Sequence, residues 1–308
     1  MSAPNHAEMN PAPLARGTSI KALVNFVVLT ALLSLGASWL VIDIGLKRHY
    51  MALLMWTPGI AAIAALKISG IPLATLGWSW GKARYQWLSY ILPAIYGVIA
   101  YGILWSSGFG GAVDPKFIEE AGYHLGLVGW GDTATLLMAI FIFAGIGMTW
   151  HMATALGEEI GWRGFLTPML MRHVSFPIAS LITGALWALW HLPIILFTKY
   201  NAGPNDMGMQ IANFTLMTIG LSFIMSYLRI KSGSLWTAAI LHAAHNIFIL
   251  SLLQRMTVQY EGTWAYAGEF GLILPLVVAA FALYFWRRAH VEGLTGRMSA
   301  PEVSDKSV

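Results

Sequence analysis

Three short polar groups interrupt the apolar second half of this chain, and their side chains are of the types used in acid–base chemistry. They are Gly157-Glu158-Glu159-Ile160-Gly161-Trp162-Arg163, then Trp187-Ala188-Leu189-Trp190-His191, then His242-Ala243-Ala244-His245-Asn246. On a helix, Glu159 and Arg163 share a face and can pair in the favourable orientation. Glu158 points about 100° away from Glu159, free to face a cavity. His242 and Asn246 also share a face, with His245 beside them, and Trp187 sits one turn from His191. A carboxylate buried in apolar surroundings is a better base near neutral pH. A nearby imidazole can orient and polarise a water. A second imidazole and an amide offer donors to an oxyanion forming on a carbonyl. Together these are the parts for attack of water on an amide without a covalent intermediate. No His-Glu-x-x-His zinc motif is present, and the absence of Cys excludes thiol catalysis, disulfides and self-prenylation.

The elements that must position these groups are membrane spans. Of 308 residues, 57% are hydrophobic and 10% charged, against about 25% charged in soluble domains. Such a chain needs lipid as its solvent. A spanning helix takes about 20 apolar residues. Eight stretches qualify: roughly Ala22–Leu46, Met51–Ser69, Trp87–Ser107, Thr133–Leu156, Phe176–Phe197, Gly208–Leu228, Leu235–Gln254 and Phe270–Trp286. The runs are too long and too unbroken for strands. The expected fold is an all-α integral membrane protein, a bundle of about eight transmembrane helices with a polar cavity among the later ones. At about 1.5 Å per residue, His191 lies roughly 21 Å from Pro177, and His242 and Asn246 roughly 12–18 Å from Ser234, in one middle slab. Thr133 to Arg172 is too long for one upright span. It reads either as a tilted helix or as a helix with a re-entrant piece broken near Gly157, Gly164 or Pro168.

Orientation follows from Lys and Arg. With the N-terminus cytoplasmic, Arg16, Lys21, Lys67, Lys82, Arg84, Arg163, Arg172, Arg229, Lys231, Arg287, Arg288, Arg297 and Lys306 lie inside. Lys47, Arg48, Lys116, Lys199 and Arg255 lie outside, so the split is 13 to 5 of the 18. This places both termini in the cytoplasm, in a plasma (inner) membrane. Residues 1–20 and 290–308 read as disordered tails, and residues 21–289 as one membrane domain. Pro72–Gln86 reads as an interfacial amphipathic stretch, and Gly108–Asp132 as a long external loop.

Taken in order on successive spans, Glu-Glu-x-x-x-Arg, aromatic-x-x-x-His and His-x-x-x-Asn resemble the CAAX protease and bacteriocin-processing family, which includes the type II CAAX prenyl endopeptidases. The resemblance covers residues 140–254. It implies that Glu158 and His191 act on a water, that His242 and Asn246 form the oxyanion hole, and that Glu159 and Arg163 support the site. Trp187 departs from the family pattern, which more often has Phe, and this bears on cavity shape. The implied substrate is a peptide or protein, prenylated in the CAAX case, with lipid entering laterally and peptide from the cytosol. No cofactor and no nucleic-acid partner are expected.

Other readings stand beside this one. Zinc held by Glu158, His191 and His242 would leave an open fourth position. A non-catalytic scaffold, immunity factor or transporter would use the same groups only to bind. Glu159 with Arg163 reads as architecture, and His245 and His151 as structural. Gly129-Trp130-Gly131-Asp132 matches a Gly-x-Gly-Asp protease pattern but falls at the outer end of a span. Ser232-Gly233-Ser234 reads as a turn and helix cap.

Overall fold

The computed structural model describes residues 14–201, 203 and 206–296. Twelve α-helical segments follow one another: α1 Arg16–Ile44, α2 Arg48–Ile68, α3 Ala83–Ser106, α4 Pro115–His124, α5 Asp132–Gly145, α6 Gly147–Glu159, α7 Thr167–Met171, α8 Phe176–Phe197, α9 Met207–Ser232, α10 Trp236–His245, α11 Gln254–Met256 and α12 Ile273–Val291. Two π-helical stretches, Ile160–Leu166 and Asn246–Leu253, join α6 to α7 and α10 to α11. Among the described residues there is no strand, only one isolated bridge between Gly111 and Val258.

The burial pattern inverts that of a soluble bundle. Leu32, Leu35, Trp39, Val98 and Phe141 are exposed, whereas the inward row of α1 is Ala22, Phe26, Thr30, Ser34 and Ser38. Lipid tails are as apolar as Leu, so the spans meet through small and hydroxylated residues and turn their large aliphatic ones outward. Ser34 and Thr57 hydrogen-bond at 2.7 Å across α1 and α2. This is an all-α membrane bundle in which seven helical stretches have the length and hydropathy to cross a bilayer. The eighth, α12, carries Arg287, Arg288 and His290 near its C-terminal end. Helix α10 occupies the centre, with every residue from Thr237 to His245 buried.

Of the two readings of 132–171, the continuous helix is the one observed: a 40-residue helical path that passes through the π turn at Ile160–Leu166. The Gly108–Asp132 loop contains α4, started by Pro115 at its first turn and by the Asp114 carboxylate accepting from the Lys116 N–H. Pro72–Gln86, read as an interfacial amphipathic stretch, makes one 3₁₀ turn, Leu73–Leu76, enters α3 at Ala83, and is tied down where the carbonyls of Leu76 and Trp78 accept from Arg229 and Trp236. Helix also reaches past both ends of the expected 21–289 domain, since α1 begins at Arg16 and α12 ends at Val291. Residues 1–13 and 297–308, the rest of the expected tails, lie outside the described residues.

Candidate active site

Close backbone packing fixes the two carboxylates. A Cβ on Gly59 would sit 2.5 Å from the carbonyl oxygen of Gly157, and one on Gly161 would sit 2.5 Å from Pro58. Only glycine lets α2 press against the backbone on either side of Glu158 and Glu159. The helix then widens into its π turn directly after Glu159. Such widened turns recur at functional sites. The second one begins at Asn246.

The two glutamates diverge as helical geometry requires. Glu159 is fully buried, with both oxygens 3.0 and 3.1 Å from Nη1 of Arg163. Its Oε1 also accepts from Nδ1 of His242 at 2.9 Å. The Arg163 guanidinium lies 4.4 Å from the centroid of the Trp187 ring, whose face stabilises a cation. Glu158 is 1% exposed, and its Oε2 accepts from the indole Nε1 of Trp187 at 2.7 Å. Trp187 therefore touches the base candidate through its N–H and the supporting cation through its face. A Phe at this position would supply only the second contact.

The two histidines on separate helices are oriented alike. His191 donates from Nδ1 to the Trp187 carbonyl at 2.9 Å, because a carbonyl can only accept. Its ring is wedged among Trp190, Phe214 and Tyr200, with centroids 4.6, 4.9 and 6.1 Å away. His242 commits Nδ1 to Glu159. In both rings Nε2 is the nitrogen left for substrate or water. Asn246 is half-buried. Glu158, His191, His242 and Asn246 all line one cavity of about 210 Å³, together with Trp187. Glu159 and Arg163 stand behind its wall.

The remaining polar candidates separate cleanly. His245 uses both nitrogens, Nδ1 with the Tyr96 hydroxyl at 2.6 Å and Nε2 with Glu269 at 3.0 Å. His151 meets the Ser251 hydroxyl at 3.2 Å on the cavity wall. Asp132 is the first residue of α5 and does not line the cavity. Ser232 and Ser234 make turn hydrogen bonds, Ser232 Oγ donating to the Leu228 carbonyl at 2.7 Å and the Ser234 N–H to Ser232 Oγ at 3.0 Å. Sequence reasoning missed Glu269, which lines the cavity from the connection before α12, and Arg48 at its edge. Neither belongs to a helical repeat of polar residues, so no spacing pointed to them.

Among the described residues no group of three His, Asp or Glu side chains, the set Glu158, His191 and His242 included, is placed as a ready-made metal site.

Comparison with known proteins points the same way as the geometry. Residues 130–248, from just before α5 into the second π stretch, match the family described as type II CAAX prenyl endopeptidase Rce1-like. Over 198 residues the chain is 28% identical to CAAX prenyl protease 2 of Methanococcus maripaludis. That match covers 63% of this chain and 63% of the relative's length.

Proposed function

We propose, from its likeness over residues 130–248 to the type II CAAX prenyl endopeptidase Rce1-like family, that this chain is an intramembrane endopeptidase acting on a membrane-associated polypeptide through an activated water. One observation carries the proposal: four side chains from three different helical paths, Glu158, His191, His242 and Asn246, line the same cavity.

Each group has a defined part. Oε2 of Glu158 is held by Trp187, so Oε1 is the oxygen that takes a proton from water. His191, with Nδ1 spent on a carbonyl, offers Nε2 to the same water and aims its lone pair at the substrate carbonyl carbon. Water oxygen bonds to that carbon, and the carbonyl electrons move to its oxygen. Asn246 donates to this oxyanion through its amide. His242 donates through Nε2 when its ring carries both protons, with Nδ1 held by the Glu159 carboxylate. Glu158 then passes its proton to the leaving nitrogen, and the C–N bond breaks. Arg163 pairs with Glu159 and holds it in place. This scheme routes no step through a metal.

The family resemblance makes a CAAX-type prenylated C-terminus one substrate for this site, and the 63% overlap with the relative leaves the chain's own substrate to experiment. Purified protein is expected to release peptide from a membrane-associated substrate, with Glu158→Gln and His191→Ala each lowering turnover by about 10²–10⁴-fold, the usual contribution of a positioned acid–base group. Turnover unchanged in both variants ends the assignment.

A further inference from the structure

A second cavity stands apart from the active site and shares no lining residue with it. It holds about 640 Å³ where the start of α3 meets the finish of α9 and of α12. Each of these helix ends carries a cation: Arg84 in the first turn of α3, Lys231 in the last turn of α9 and Arg288 in the last turn of α12. Farther along the same helices the lining turns apolar. At about 1.5 Å per residue, Leu88 and Leu92 lie about 6 and 12 Å along α3 from Arg84. By the same rise, Tyr284 and Phe281 lie about 6 and 10 Å along α12 from Arg288. One cavity thus grades from cationic to hydrocarbon along the direction in which a bilayer leaflet grades from headgroup to acyl chain.

The cations are held in place by the fold itself. Glu292, just past α12, accepts from Lys231 Nζ at 3.0 Å, from Arg288 Nε at 3.1 Å and from the Tyr227 hydroxyl at 3.0 Å. It ties the ends of α9 and α12 together and offsets one of their two charges. Arg84 pairs with no carboxylate among the described residues. Its Nη2 donates to the Tyr85 hydroxyl at 2.9 Å, and its guanidinium lies 4.7 Å from the centroid of that ring. Three cations against one carboxylate leave two positive charges in excess around the cavity. Cations at the ends of spans ordinarily reach out singly toward water. Here they converge from three helices, and two of them are guanidinium groups, whose fork of N–H donors matches phosphate oxygens.

We propose that this cavity binds an anionic phospholipid, its headgroup phosphate at the Arg84, Lys231 and Arg288 end and an acyl chain against Leu88, Leu92 and Phe281. The cavity reaches the protein surface, since Arg84, Ala280, Tyr284 and Arg288 are all exposed. The surface beside it is of the kind that lipid covers. Ile91 and Ile95 of α3 and Leu276 and Leu283 of α12 are exposed aliphatic side chains, and a membrane bundle turns such residues to acyl tails. A soluble phosphate compound would answer the cations and leave the apolar half of the cavity unfilled. A zwitterionic lipid would fill the apolar half and bring no net charge to answer the excess. Basic pockets between spans suit anionic headgroups for both reasons at once.

The test titrates the full-length protein, in a neutral detergent, with phosphatidylglycerol or with phosphatidylcholine of the same acyl chains. Retained lipid is counted by native mass spectrometry. The expected result is one phosphatidylglycerol held per chain at concentrations where phosphatidylcholine is not held. Arg84→Gln should weaken that binding about 5-fold, and Arg84→Gln combined with Arg288→Gln about 30-fold. Arg84→Gln breaks no ion pair, so it reads the site even if the double variant unfolds. Lys21→Gln combined with Lys67→Gln removes the same charge from exposed positions at that end of the bundle, outside the cavity, and should leave retention unchanged. Equal retention of the two lipids, unchanged retention in Arg84→Gln, or an equal loss in the Lys21 and Lys67 control overturns the proposal. Displacement of phosphatidylglycerol by equimolar inorganic phosphate also overturns it, and assigns the cations to a soluble phosphate instead.

Discussion

Helix α10 carries two buried histidines three residues apart, and each meets a carboxylate, yet the two pairs are built for different ends. His242 takes Glu159 on one nitrogen only, and Arg163 balances that carboxylate from the next turn of its own helix. His245 takes Glu269 on one nitrogen and the Tyr96 hydroxyl on the other, with no guanidinium or ammonium among the described residues paired to that carboxylate. The first imidazole retains a free edge facing the cavity, and the second has spent both. A ring with an uncommitted nitrogen can serve a reaction. A ring with two committed nitrogens fastens helices, here α10 to α3 and to the connection before α12. The count of free nitrogens, not the presence of a carboxylate partner, distinguishes chemistry from architecture in this bundle.

Mutation can break this contrast in a graded way. The largest effect belongs to Glu159→Ala, which leaves the Arg163 charge buried without its partner. Loss of one member of a buried pair costs about 3–5 kcal/mol, so this variant should lose folded protein as well as activity, read by thermal unfolding in detergent. His242→Ala comes next. It should lower kcat by about 10²–10³-fold, the usual loss for an oxyanion donor, with a much smaller fall in unfolding temperature than Glu159→Ala. His245→Phe should show the opposite pattern. Leaving the Tyr96 hydroxyl and Glu269 unpaired costs about 1–3 kcal/mol of stability per group, while kcat stays within a few-fold of wild type. A His245→Phe protein that folds well but does not turn over would erase the distinction between the two histidines. The smallest effect is expected from Trp187→Phe, which removes one hydrogen bond to Glu158 and keeps the aromatic face over Arg163. That bond is worth about 0.5–1.5 kcal/mol, so peptide release should fall only a few-fold.

Much of this arrangement was legible in the sequence, because ionisable residues inside long apolar runs have few reasons to be there. Glu158, Glu159, Arg163, His191, His242 and Asn246 stood out for that reason, and helical spacing correctly separated the directions of the two glutamates. The spans were readable from length alone. The π turns were not, since a widened turn keeps the same apolar composition as the α-helix it interrupts and leaves no period to detect over seven or eight residues. Glu269 was hidden for a different reason. It lies in an irregular connection where a carboxylate looks solvated, and only the folded path brings it over the cavity. The helix in 115–124 starts at Asp114-Pro115, a cap and first-turn proline set in a glycine-rich segment that reads as loop.

The glycine contact between α2 and the glutamate-bearing path has a dynamic consequence. Two backbones touching without side chains between them have no rotamers to rearrange, so they cannot glide past one another by the small steps that packed helices use in shear motions. Gly59 and Gly157 therefore make α2 and α6 move as one piece. Glu158, next in the chain to Gly157, is thus carried on that shared unit, while His191 and His242 reach the same cavity from helices outside this contact.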